Sequence, residues 1–271
     1  MNNPFFFVTI YGNDSINIFK SAKKLGYKSE YAKYVPFVGV DKSEIPKDCT
    51  VIPYGSINFL KNIQSHNMEN VIHFCNWKNF ECTDYMPFFS EYSIHKEYGY
   101  LTIGELLDKK NFIYDNFSLD SHVFFRPNSG DKIFNGELVA YENFKKFISI
   151  GVDYVENIDR RTLLMFSKPS IINREWRFVV SNKMVITGSL YKERENNSLN
   201  VVMREEKSKE LIDWVQSITL NSPYEPEKIY CFDVAEVDDG YRFMEINSIN
   251  SSGLYCCDVD VVVEELAKFA Q

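Results

Sequence analysis

The apolar positions of this chain change their spacing several times, and the changes mark out its elements. Residues 5–11, Phe5-Phe6-Phe7-Val8-Thr9-Ile10-Tyr11, form a short run that reads as a buried strand. Residues 16–26 then place Ile18, Ala22 and Leu25 on one helical face and close on Gly26. Residues 27–34 read as a second strand, residues 51–56 and 57–63 repeat the strand, turn, helix order, and residues 71–74 give another short strand. This is the opening of a layered α/β unit. The stretch 76–93, with Trp77, Phe80, Tyr85, Phe88, Phe89 and Tyr92, follows neither period and is expected to be a covering loop or short helices.

Beyond it the pattern turns to strands. Residues 102–108 read as a helix, with Thr102 as its cap and Glu105 three residues on, a capping-box spacing. Residues 122–127 form a strand ending in Arg126-Pro127, residues 128–132 a flexible glycine loop carrying Lys132, and residues 133–139 the returning strand. A helix is expected over 141–150, a buried strand over 161–167, and two strands over 173–180 and 184–192 joined by a turn at 181–183. Amphipathic helices over 205–217 and 259–270 follow. Alternation in the strand 173–180 puts Glu175 and Arg177 on one face, opposite Trp176 and Phe178. A buried arginine needs a partner or a cavity, and Glu175 is the partner within reach.

The most informative stretch is 229–247, two β-rich runs around Asp238-Asp239-Gly240, which reads as a hairpin. With those three residues as the loop, Val237 faces Tyr241, and Asp233 stands opposite Glu245 with Cβ atoms about 4.5–5.5 Å apart. Two carboxylates that close repel each other unless a cation lies between them. Asn247 projects from the same face with a neutral oxygen, and such hard oxygens suit Mg²⁺ carrying a nucleotide phosphate. The polar loop 247–255 comes next, where function is commonly placed.

Composition narrows the field. Hydrophobic residues make up 45% of the 271, with 22 Phe and 17 Tyr, enough for a large core and against disorder. No run is long enough to span a membrane, and the N-terminus lacks the basic region of a signal peptide, so a cytoplasmic protein is expected. Six cysteines without a CxxC pair and four histidines without HxxxH spacing leave no zinc site, and Cys256-Cys257 reads as small apolar residues. Gly12 and Gly55 lack GxGxxG spacing and read as turn glycines. A net charge of −8 opposes diffuse nucleic-acid binding while allowing a local basic cleft.

Taken in order, these residues resemble the ATP-grasp superfamily: a cation before Pro, a glycine loop between strands, a buried strand, Glu-x-Arg, then a late Asp strand followed by Glu-x-Asn. Arg126-Pro127 stands where most such enzymes have Lys-Pro. The Arg-Pro-x-Ser-Gly-Asp-Lys, Glu-Trp-Arg and Ser-Ser-Gly-Leu-Tyr strings look like a phage and bacterial subgroup with arginine at that position. The resemblance implies an α/β plus α+β chain, with a Rossmann-like pre-ATP-grasp domain over 1–94 and a two-subdomain ATP-grasp fold over 95–271. It implies ATP and Mg²⁺, with Asp233, Glu245 and Asn247 on the metal and Arg126 and Lys132 on the phosphates. The strand ending at Ser167 and Lys168 reads adenine through its backbone, Arg177 faces the γ-phosphate with Glu175 orienting it, and Lys192 and Tyr191 line the acceptor pocket. The implied activity is an ATP-dependent carboxylate–amine ligase acting on a small molecule, peptide or protein. A kinase or nucleic-acid end-modifying enzyme, and a nucleotide-binding protein without turnover, are the alternatives. Neither a membrane partner nor an oligomeric state is implied.

Overall fold

The computed structural model describes residues 3–10, 12–108, 122–131, 133–140, 143, 146, 159–196 and 198–270. Lys132 and all but two positions of the expected helix over 141–150 lie outside them. Three sheets organise the described residues. The first is parallel, with β1 (Phe5–Val8) between β2 (Lys28–Tyr31) and β3 (Val51–Tyr54). Helices α1 (Gly12–Lys24) and α2 (Ile57–Ser65) connect or follow its strands, and the Ser56 hydroxyl caps α2 by accepting from the Phe59 N–H. Residues 71–74, expected to be a strand, contribute a single bridge between Val51 and Val71. Gly55 is a packing glycine, since a Cβ there would come within 1.9 Å of Thr9 Oγ1.

The aromatic stretch 76–93 resolves into α3 (Cys82–Phe89) flanked by two 3₁₀ turns. It enters the core more than it covers anything, because the Phe89 ring lies 4.7 Å from Phe243 and 5.7 Å from Phe232. Next come β4 (Gly99–Thr102) and α4 (Ile103–Asp108), joined by the expected capping box. The Thr102 N–H donates to Glu105 Oε2 at 2.9 Å and the Glu105 N–H donates to Thr102 Oγ1 at 3.2 Å.

Strands β5 (His122–Pro127), β6 (Glu137–Ala140) and β7 (Leu163–Ser167) join β4 in an antiparallel sheet of order β4-β7-β5-β6. The larger antiparallel sheet has the order β10-β9-β8-β11-β12, formed by β8 (Arg174–Ser181), β9 (Met184–Glu195), β10 (Ser198–Glu205), β11 (Ile229–Val237) and β12 (Gly240–Ser248). The edge strand β10 had no counterpart in the sequence pattern, because Val201 and Met203 alternate along it while remaining exposed to solvent. Helix α5 (Lys209–Asn221) therefore starts later than residue 205, after the Ser208 cap, and α6 (Val259–Lys268) closes the fold.

The parallel sheet is bound to the large one by a shared core, in which Phe6, Val8 and Ile52 meet Cys231, Leu254 and Val262. Asn250, fully buried, pins this junction. Its Nδ2 donates to the Pro53 carbonyl at 2.7 Å, its Oδ1 accepts the Phe74 N–H at 2.7 Å, and its own carbonyl accepts the Gly55 N–H at 2.9 Å. Asn250→Ala leaves a buried donor and a buried acceptor unmatched and is expected to cost about 3 kcal/mol in urea unfolding. A loss below about 1 kcal/mol would mean the junction is held by apolar packing alone.

Candidate functional site

The β11–β12 hairpin puts its carboxylates together by a route other than the expected one. Its turn contains two residues, Asp238 and Asp239, since Val237 pairs with Gly240, whose φ of +116° a glycine adopts without cost. A turn shortened by one residue would move every later side chain of β12 to the opposite face. A bulge at Met244, between the pairs Val234–Phe243 and Asp233–Glu245, inserts the missing residue and brings Asp233 opposite Glu245 as expected. On the other side, β8 sets Arg177 opposite Asp233.

This register decides the ion pairs. Arg177 donates from Nε to Asp233 Oδ1 at 2.8 Å and from Nη2 to Oδ2 at 2.6 Å, and its Nη1 reaches the Gly253 carbonyl at 2.8 Å. The partner of Arg177 is thus Asp233 and not Glu175, because β9 places Lys192 opposite Glu175 and the two pair at 3.1 Å. Burial disfavours charge on Arg177, but the Asp233 carboxylate outweighs it and holds the guanidinium well above its ordinary pKa. From the four-stranded sheet, Arg126 on β5 brings Nη1 to 2.5 Å from Glu245 Oε2. Asn247 Nδ2 lies 3.0 Å from both Asp233 Oδ2 and Glu245 Oε1.

A cavity of about 670 Å³ opens between the two antiparallel sheets. Of the residues singled out in the sequence, Arg126, Lys168, Glu175, Arg177, Tyr191, Lys192 and Glu245 border it. Asp233 and Asn247 stand behind them, buried and tied to Arg177 and Glu245. Ser167, also buried, places its hydroxyl 3.1 Å from His95 Nδ1. Two wall residues escaped the sequence pattern. His95 is an isolated histidine with no spacing to mark it, and it stacks on Phe124 at 5.0 Å. Tyr255 stacks on Tyr191 at 4.5 Å with the rings 6° apart. Its φ of +54° is uncommon for a residue of that size, and its N–H donates to Asp14 Oδ1 at 3.2 Å.

The loop after β5 also differs from expectation. Residues 128–131 are packed down, with Asn128 Oδ1 accepting the Thr83 N–H at 2.9 Å and Asp131 paired with Lys61. A Cβ on Gly130 would meet Phe80 Cβ at 2.5 Å, so only glycine lets the loop lie this close. Phe134, Asn135 and Gly136, expected in a strand, instead bend over the cavity ahead of β6.

Among the described residues no group of three or more His, Cys, Asp or Glu side chains is placed to hold a metal. The candidate set is therefore two carboxylates and one amide, and the side chains of Asp233, Glu245 and Asn247 do converge on one point. As hard oxygen donors they fit Mg²⁺, with Asn247 turned to offer its oxygen in place of its nitrogen.

A family model described as an ATP-grasp domain, the third family of its clade, matches residues 54–266. The chain belongs to this ATP-grasp family. Solved structures share the ATP-grasp fold at low identity. D-cycloserine synthetase DcsG is 10% identical with a TM-score of 0.65, covering 98% of this chain and 100% of its own. The ATP-grasp ligase PsnB complexed with a minimal precursor is 12% identical with a TM-score of 0.59, each chain covered in full. D-alanine–D-alanine ligase from Bacillus anthracis is 12% identical with a TM-score of 0.57, covering 94% and 88%. No curated protein matches.

In this ATP-grasp chain burial, with the nearby Arg126 charge as the second cause, pushes the His95 pKa down from 6.5 to about 3. The folded protein then leaves His95 neutral where the unfolded chain takes up a proton, so stability falls as pH drops below about 6.5 toward about 3. Between pH 7 and pH 5 this costs about 2 kcal/mol, at about 1.4 kcal/mol per pH unit. Urea midpoints at the two pH values should show that loss in the parent and not in His95→Gln. Parallel losses in both proteins would refute it.

Proposed function

We propose that this chain is an ATP-dependent carboxylate–amine ligase that forms a C–N bond through an acyl phosphate and releases ADP and phosphate. The observation that carries the proposal is the cavity wall on which Arg126 and Arg177 meet the oxygen set of Asp233, Glu245 and Asn247. A guanidinium fork matches the oxygens of a phosphoryl group, and the reaction needs positioned positive charge more than a protein nucleophile. Among solved relatives, PsnB is an ATP-grasp ligase seen with a precursor peptide, and with Mg and ADP. The small-molecule ligases named above share the fold, so a small molecule, peptide or protein is the proposed substrate.

Each side chain then has a task. Arg126, with Lys132, holds the phosphates, and the backbone from Met165 to Lys168 reads the adenine. Arg177, anchored by Asp233 and Gly253, faces the transferring phosphoryl group. Lys192, neutralised by Glu175, and Tyr191 line the acceptor side. Asp233, Glu245 and Asn247 hold Mg²⁺, which when bound neutralises phosphate charge. Neutral His95 supports Ser167 and gives no proton. We assign residues 1–94 to a pre-ATP-grasp domain and 95–271 to the ATP-grasp domain, in a cytoplasmic protein.

The test is incubation with ATP, Mg²⁺ and panels of amino acids and peptides, reading ADP, phosphate and the mass of the condensed product. Glu245→Gln, which keeps the shape and removes the charge, should lower turnover by about 10²–10³-fold. AMP and pyrophosphate, or a stably phosphorylated acceptor without condensation, would overturn the ligase assignment.

A further inference from the structure

The occupancy of the carboxylate oxygens carries a consequence for how the site is filled. Asp233 Oδ1 accepts from Arg177 Nε, Asp233 Oδ2 from Arg177 Nη2 and Asn247 Nδ2, Glu245 Oε1 from Asn247 Nδ2, and Glu245 Oε2 from Arg126 Nη1. All four oxygens that would face a cation therefore already have donors. Two guanidiniums balance two carboxylates, and both arginines are buried, at 8% and 6% exposure. Asn247 turns its amide nitrogen, not its oxygen, toward the point between the acids.

We infer that Arg126 makes this site selective for a divalent cation entering with a nucleotide and excludes the bare cation. The inference rests on the proposed role of Asp233, Glu245 and Asn247 as the oxygen donors. A bare cation would have to detach Arg126 from Glu245 and reverse Asn247, leaving excess positive charge in a region largely closed to water. Buried charge without a partner is strongly unfavourable. A polyphosphate removes the obstacle, because its oxygens take the guanidinium fork as a carboxylate does. Arg126 borders the cavity, so it can exchange Glu245 for phosphate without leaving its strand, and Glu245 is then released to the metal. Arg177 plays the lesser part, since Asp233 and Gly253 hold it from behind. Arg126 is thus a positioning residue for the acids as well as a phosphate contact. Its pairing sets the order of events, with metal arriving together with the nucleotide or after it.

The experiment is a Mn²⁺ titration of the full chain followed by electron paramagnetic resonance, with and without a non-hydrolysable ATP analogue. The Mn²⁺–analogue pair without protein serves as the reference. Without nucleotide, Mn²⁺ should bind the parent at least about tenfold more weakly than with it, the reciprocal being tighter nucleotide binding when metal is present. In Arg126→Gln, affinity for Mn²⁺ alone should rise by at least about tenfold, and Mn²⁺ alone should raise the Tm of the variant while leaving that of the parent unchanged. Equal Mn²⁺ affinity of the parent with and without the analogue overturns the inference, and so does a folded Arg126→Gln that binds bare Mn²⁺ no better than the parent. If the variant fails to fold, the parent comparison decides. Only binding is read, so a chain that joins no acceptor can still pass, and a working ligase that takes up bare Mn²⁺ equally well fails.

Discussion

The bidentate pair between Arg177 and Asp233 is the contact on which the site depends. It joins β8 to β11 in the middle of the five-stranded sheet, where both residues are nearly closed to solvent. From it a single run of polar contacts crosses to the other antiparallel sheet: Asp233 to Asn247, Asn247 to Glu245, Glu245 to Arg126 on β5. A buried ion pair is weak evidence for net stability, because desolvating two charges can cost as much as their attraction returns. Its value lies in fixing where the charges stand. With both forks anchored, the cavity wall carries a set pattern of cation and anion that a charged ligand can rearrange by exchange instead of by creating charge.

The parallel sheet at the N-terminus takes part in this from the back. Asn250 locks the loop after β12 to β3 and to residue 74, and Tyr54 donates its hydroxyl to the Ser252 carbonyl at 2.5 Å. That loop supplies the Gly253 carbonyl to Arg177 and the Tyr255 ring to the cavity wall. Asp14, from the first turn of α1, holds the Tyr255 backbone in its unusual conformation. The first layer of the chain therefore reaches the site through backbone contacts without supplying a charge to it.

Much of this was legible in the sequence, for identifiable reasons. Alternation and turn residues located β5, β8 and the late hairpin, and the facing of Asp233 and Glu245 followed from counting outward from the turn. That count succeeded although the turn was misjudged by a residue, because the Met244 bulge offset the error. A bulge has no sequence mark of its own here, since Phe243-Met244-Glu245 reads like any strand. Pairing across strands was less legible. Glu175 was the nearest carboxylate to Arg177 in sequence, whereas register across β11 gave Arg177 to Asp233. Local spacing cannot show which strand lies alongside. The same blindness hid His95, which reaches Ser167 across 72 positions, and the edge strand β10, whose apolar side chains stay exposed.

The central claim, that Arg177 and Asp233 hold the site as one unit, is most directly tested by a double-mutant cycle on stability with Arg177→Met, Asp233→Leu and the double variant. Each single change strands a buried charge and should cost about 3–5 kcal/mol, while the double variant recovers most of that loss. A coupling of about 2 kcal/mol or more is the result the account requires. Additive losses, with the double variant as unstable as the sum of the singles, would contradict it.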